Sequence, residues 1–222
     1  MQRSTKINLG IVGALAVAGI ITAGVLMTGA PGPAPSSPAT AASSPPLVPE
    51  GSHVLDDPEG ASVTVVEFLD FECEVCGAVY PYVEQLREDY AGDIRYVPRY
   101  FPIPAHQNSM NAALAVEAAA QQGRYQAMYE RMFDTQPEWG ERQESEAPRF
   151  RGYAEELGLD LAAYDAVVAD PATEARIRAD FDAGLALGVQ GTPTFFVDGE
   201  QVRLERIADL TDAIDSALGA GE

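Results

Sequence analysis

The chain has 222 residues, 46% of them hydrophobic, with two cysteines and 34 acidic against 14 basic side chains, a formal charge of −20. That length and apolar content suit one globular core. All of the acids but only 12 of the bases lie from residue 50 onwards, so that part carries a formal charge of −22 and argues against a nucleic-acid surface.

Two N-terminal segments stand apart from the core. Residues 1–6 hold Arg3 and Lys6 and no acid, and residues 7–30 contain no charge. About 20 apolar residues span a bilayer as a helix. Positive charge in front of the run, and none after it until Glu50, predicts a cytoplasmic tail (1–6), a transmembrane signal anchor (7–30) and everything downstream outside the membrane. The alternative is a cleaved signal peptide with its site at Ala39-Thr40-Ala41, which lies well past the apolar run. Residues 31–49 are rich in Pro, Ala and Ser without charge or periodicity and read as a semi-extended linker.

The globular part, 50–222, opens with Ser62 to Leu69, a β-branched apolar run expected as a strand buried on both faces. A helix is expected from Glu74 to Tyr90 with Val79, Val83 and Leu86 on one face, then a second strand from Asp93 to Tyr100. Two parallel strands joined by a helix form a βαβ unit, whose functional turn lies at the carboxyl end of the first strand. From about 105 to 188 the pattern is helical. Asn108 is placed to cap an Ala-rich helix, and Tyr125, Met128, Tyr129 and Met132 form one stripe. Phe150, Tyr153, Ala154 and Leu157 form another, Asp160 caps a further helix, and a last one spans Pro171 to Leu187. Thr194 to Val197 returns to strand, Asp198-Gly199 turns, Gln201 to Leu204 pairs back, and Ile207 to Leu218 closes with a helix.

The two cysteines stand three apart, in Phe71-Glu72-Cys73-Glu74-Val75-Cys76-Gly77, between the first strand and the first helix. A thiolate at Cys73 sits at a helix N-terminus, where unpaired N–H groups and the helix dipole stabilise negative charge. It can attack a disulfide, and Cys76 can resolve the mixed intermediate. A CxxC pair also makes half a zinc site or a short structural disulfide. For zinc the remaining candidate ligands, His53 and His106, stand at no standard spacing. His106 reads as a loop or capping residue, and the sequence calls for no metal.

These residues, with a Gly191-Thr192-Pro193 turn before the late hairpin and a helical block between the two motifs, resemble the DsbA-like branch of the thioredoxin superfamily over roughly residues 50–220. Glu67 before the cysteines, Pro81 in the first helix and the stretch Phe101-Pro102-Ile103-Pro104-Ala105-His106 extend the resemblance. It implies an α/β thioredoxin-like fold, a central mixed sheet with a helical domain inserted between βαβ and ββα halves. It further implies Cys73 as nucleophile, Cys76 as resolving thiol, Glu67 as a buried carboxylate relaying a proton to Cys76, and Thr192 and a cis Pro193 as the substrate-binding turn. The redox centre is then the Cys73–Cys76 disulfide itself, with no further cofactor. Glu72, Glu74 and Val75 are the residues expected to tune it, the two glutamates by disfavouring the Cys73 thiolate through like-charge repulsion. The activity implied is disulfide formation in exported proteins, with their thiols as substrates and a membrane redox protein as regenerating partner. A membrane-tethered reductase or isomerase is the alternative enzyme, and an exported binding or chaperone-like module with a structural disulfide the non-enzymatic one.

Overall fold

The computed structural model describes residues 44–220. The expected tail and anchor, and the linker up to residue 43, lie outside these residues. Among the described residues no helix is long and apolar enough to cross a membrane.

The element order is β1 (Val63–Leu69), α1 (Glu74–Asp89), β2 (Ile94–Tyr100), six helices, β3 (Thr194–Val197), β4 (Glu200–Gln201) and α8 (Ala208–Ala220). The six are α2 (Ser109–Ala120), α3 (Tyr125–Asp134), α4 (Gln136–Trp139), α5 (Ala147–Glu156), α6 (Leu161–Ala169) and α7 (Pro171–Ala186). The four strands form one sheet in the order β2-β1-β3-β4, with β1 parallel to β2 and antiparallel to β3. This is the mixed thioredoxin-like sheet with a helical block between its halves.

Alternation along β1 sorts its side chains between two cores. Val63 and Val65 pack with Val83 and Leu86 of α1 and Leu210 and Ile214 of α8, whereas Val66 and Phe68 pack on the opposite side with Val189 and Phe196. By the same alternation Glu67 falls on the α1 side. Pro98 cannot donate to a ladder, and its strand is at the sheet edge. That edge is covered by an antiparallel bridge between Asp56 and Tyr96.

Two boundaries and one cap differ from the sequence reading. The last residues of the expected linker are docked, because Leu47 and Val48 pack against the Val66–Phe68 core and buried Arg99 donates to the Leu47 carbonyl at 2.9 Å. The returning strand β4 has two residues rather than four; Val202 still donates to the Phe195 carbonyl, after which the chain leaves the sheet. Asn108 occupies the N-cap of α2 without a side-chain cap bond. Its amide nitrogen instead donates to the carbonyls of Arg142 and Glu144, and its oxygen accepts from the Glu146 N–H. Asp160, in contrast, caps α6 as expected, accepting from the Ala163 N–H at 3.0 Å.

Helix α7 approaches the sheet closely at Gly184, where an added Cβ would lie 2.8 Å from Phe101 and 3.1 Å from Phe68. Those rings are themselves in edge contact, with centroids 6.3 Å apart. Gly184→Val is therefore expected to destabilise the fold by about 1–3 kcal/mol, the cost of overpacking a filled core. A lower urea midpoint with unchanged slope is the expected readout, and an unchanged midpoint would contradict the close approach.

Candidate active site

The turn between β1 and α1 is built from backbone and side-chain acceptors. The Cys73 N–H donates to the Asp70 carbonyl at 3.1 Å. The buried Asp70 carboxylate accepts from the N–H groups of Glu72 and Ile103, each at 2.9 Å, and pairs with His106 Nδ1 at 2.7 Å. Cys73 thereby becomes the N-cap of α1, with extended backbone angles of φ −66° and ψ 119°. Its carbonyl accepts the Gly77 N–H at 3.0 Å. Across the site the Cys73 thiol donates to the Thr192 carbonyl at 3.4 Å. The Thr192–Pro193 peptide bond is cis. Cys73, Cys76, Thr192 and Pro193 are thus brought together from the two ends of the domain.

The two sulfurs occupy unlike surroundings. Both are free thiols; Cys73 is 6% exposed and Cys76 1%. The Cys73 pKa is lowered to about 6, first by the hydrogen bond from Cys76 and further by Thr192 and the N–H groups of Cys76 and Val75, while burial opposes. The Thr192 hydroxyl is buried without a partner in the thiol state, a donor available to the thiolate. Burial pushes the Cys76 thiol well above its ordinary value, and Cys73 and the Glu67 charge push it the same way. Glu67 is 3% exposed, and burial raises its carboxyl to about 7, against the hydrogen bond donated by the Tyr96 hydroxyl. The carboxylate is thus inside the fold, facing α1, rather than on a solvated strand face.

The expected tuning residues divide. Glu72 is not an exposed charge beside Cys73. It is 2% exposed, one carboxyl oxygen accepts the Asn108 N–H and the other has no partner. Burial raises its pKa, which weakens the repulsion expected of it. Glu74 lies on the surface, close enough to exposed Glu141 to raise its pKa. Val75 is 54% exposed, an apolar side chain next to the cysteines.

Gln136, Asp70 and Asn108 escaped the sequence reading. Gln136 lies in the four-residue helix α4, too short for a periodic signal. Asp70 is one acid among many, and Asn108 looked like an ordinary cap. Histidine 53 pairs with Glu117 and His106 with Asp70. Among the described residues no group of three or more His, Cys, Asp or Glu is arranged to hold a metal ion.

A strand and turn leading into Cys73-Glu74-Val75-Cys76 at a helix start, facing a Thr192-cis-Pro193 turn, with a helical block between them, defines the fold of DsbA-like thiol-disulfide oxidoreductases. The chain belongs to the thioredoxin family, whose model matches residues 50–216. It is similar to a thioredoxin-like oxidoreductase from Silicibacter pomeroyi DSS-3, at 31% identity and a TM-score of 0.65, over 77% of this chain and 94% of that one. Wolbachia pipientis alpha-DsbA1 and oxidised BdbD from Bacillus subtilis share the fold, each at 21% identity and a TM-score of 0.68; they cover 78% and 76% of this chain and 94% of their own. A curated relative from Herminiimonas arsenicoxydans, named as a Na(+)/H(+) antiporter NhaA, is 38% identical over 80% of this chain but only 27% of its own length. Another NhaA, from Salinispora tropica, is 41% identical over 70% of this chain and 23% of its own length. The chain thus spans about a quarter of the length of these curated relatives.

Glu67 has a definite pH signature. It binds its proton at about 7 in the folded chain and at 4.5 as a free side chain. The folded state therefore holds the extra proton between those values, and the contribution to stability is lost as pH rises through 7. Relative to Glu67→Gln, the wild-type protein should lose up to about 3 kcal/mol between pH about 4 and about 8. Urea midpoints of both proteins at the two pH values measure this, and parallel pH profiles would contradict it.

Proposed function

We propose that this protein is an extracytoplasmic thiol-disulfide oxidoreductase that introduces disulfide bonds into exported proteins. The observation that carries this reading is the inequality of the two sulfurs: Cys73 at a helix N-terminus with its pKa lowered to about 6, and Cys76 buried with its pKa raised. Stabilising the Cys73 thiolate stabilises the reduced pair, which makes the oxidised pair a better oxidant. A value of about 6 lies below the roughly 7 of thioredoxin and above the roughly 3.5 of the strongest oxidants.

In the proposed exchange the Cys73–Cys76 disulfide is the resting oxidant. A substrate thiolate attacks Cys73 Sγ, the Cys73–Cys76 bond breaks, and the Cys76 thiolate takes up a proton from Glu67. The second substrate thiolate attacks the substrate sulfur of the mixed disulfide and releases Cys73 as thiolate. The substrate has lost two electrons to the pair. An extended substrate segment pairs with the Thr192 backbone as an added strand, beside Pro193 and exposed Val75. A membrane redox protein acting as oxidant regenerates the disulfide, and the charge-free stretch at residues 7–30 anchors the domain on the outer side.

The decisive measurement is the equilibrium of the pair against a glutathione buffer, together with its resting state in cells. A pair more oxidising than thioredoxin and largely disulfide at rest is expected. A strongly reducing pair kept as dithiol would instead mark a reductase. Cys76→Ser should accumulate mixed disulfides with exported proteins, and Cys73→Ser should abolish exchange; retained function in Cys73→Ser would leave only a structural disulfide.

A further inference from the structure

The active-site turn is held from outside by a residue of the helical block. The Gln136 side-chain nitrogen donates to the Phe71 carbonyl at 2.7 Å and to the Cys73 carbonyl at 2.8 Å. These carbonyls flank Glu72, and the second belongs to the N-cap residue itself. With the Gly77 N–H at 3.0 Å, the Cys73 carbonyl has both lone pairs occupied. The amide is seated in a space that exists because residue 77 is glycine: a Cβ there would lie 1.9 Å from Gln136 Oε1 and 2.7 Å from Cδ.

Gln136 is fixed in turn by its own short helix. Thr135 Oγ1 donates to the Arg131 carbonyl at 2.7 Å, and the Gly140 N–H donates to the Gln136 carbonyl at 2.7 Å. Trp139 is completely buried, with its ring centroid 4.8 Å from that of Phe150. The amide is therefore delivered from a rigid element and is itself buried. Its nitrogen donates to backbone carbonyls and not to Sγ, so any action on the sulfur passes through the backbone of the turn.

We propose that Gln136 is a positioning residue for Cys73, its amide pinning the Phe71 and Cys73 carbonyls against the bare face of Gly77 and so aiming the first N–H groups of α1 at the reactive sulfur. This rests on the dithiol reading of the site. Without the clamp the Phe71 and Cys73 carbonyls lose the Gln136 donor, the Cys73 carbonyl keeping only the Gly77 N–H, the N-cap angles of Cys73 relax, and the first N–H groups of α1 shift relative to Sγ. Gly77 lies in α1 without a positive φ, so alanine adds no backbone strain there; its methyl would displace the Gln136 amide, the far end of a flexible side chain.

The test compares wild type, Gln136→Met, Gly77→Ala and the double variant. Methionine keeps the length of the side chain and removes its donors. For each, the Cys73 pKa is read from thiolate absorbance in the ultraviolet and the pair is equilibrated with glutathione, with the melting temperature as a check on folding. Either single variant should lower the Cys73 thiolate fraction near neutral pH and the oxidising equilibrium constant about threefold to tenfold, the range for loss of one or two hydrogen bonds. The double variant should go no further than the larger single effect, since both remove one clamp. Unchanged thiol pKa and equilibrium in a folded Gln136→Met protein would overturn the proposal, and so would additive effects in the double variant. Should Gln136→Met fail to fold, Gly77→Ala decides alone, because it leaves Gln136 in place. Failure of the wild-type pair to exchange with glutathione would count against the function but not against the clamp, since the thiol pKa is measured without exchange.

Discussion

A strand buried on both faces and hydrogen-bonded along both edges cannot slip without exposing side chains and orphaning backbone groups, and β1 is held in this way between β2 and β3. Its register fixes two things together. It turns Glu67 toward the α1 side of the sheet, opposite Pro98 and Phe195 in the pairing. It also fixes the residue at which α1 begins. Cys73 is the N-cap because Asp70 closes the turn after β1, and one residue of slip would carry its sulfur away from the helix end.

Burial then decides the protonation state of the groups behind that point. The domain is strongly acidic, so repulsion of a new negative charge is the first expectation. Yet the site acids are removed from that competition. Glu67 and Glu72 are desolvated and pushed toward their neutral forms, and Glu74 is on the solvated surface. Exposed charges are screened over about 8–10 Å, whereas Cys76, Thr192 and the first N–H groups of α1 lower the Cys73 pKa locally. Local hydrogen bonding therefore outweighs the general acidity, and the thiol pKa falls.

The sequence carried the fold wherever periodicity or turn chemistry was strong. The boundaries of β1, α1, β2 and β3 were readable to within a residue or so because each is a long apolar run or a stripe ended by a turn signal. The closeness of the cysteine pair to the Thr192-Pro193 turn was readable because the spacing and composition are unusual. Helix α4 was not, since four residues with Pro137 have no period. Glu72 was misjudged for a different reason. Adjacency to Cys73 in the chain suggested adjacency of charge, but the tight turn sends its carboxyl inward to the Asn108 N–H. The folding back of 44–49 was hidden because composition describes a linker, not the Arg99 guanidinium that takes its carbonyls.

The helical block thus does more than cover the sheet. Through Gln136 and the Asn108 N–H it supplies donors to the turn that carries the cysteines, while β1 supplies the carboxylate beneath them. A buried Cys76 thiolate and a buried Glu67 carboxylate are like charges in one poorly solvated space, and each raises the other's cost of ionising. Between them they retain a proton at neutral pH. In the proposed exchange, release of Cys76 from the disulfide creates the charge that space tolerates least, and Glu67, with its carboxyl poised at about 7, is the acid able to neutralise it. Thiol exchange at the Cys73 end of the pair is in this way tied to proton transfer at the Cys76 end, and the direction of the proposed exchange at a given pH depends on both.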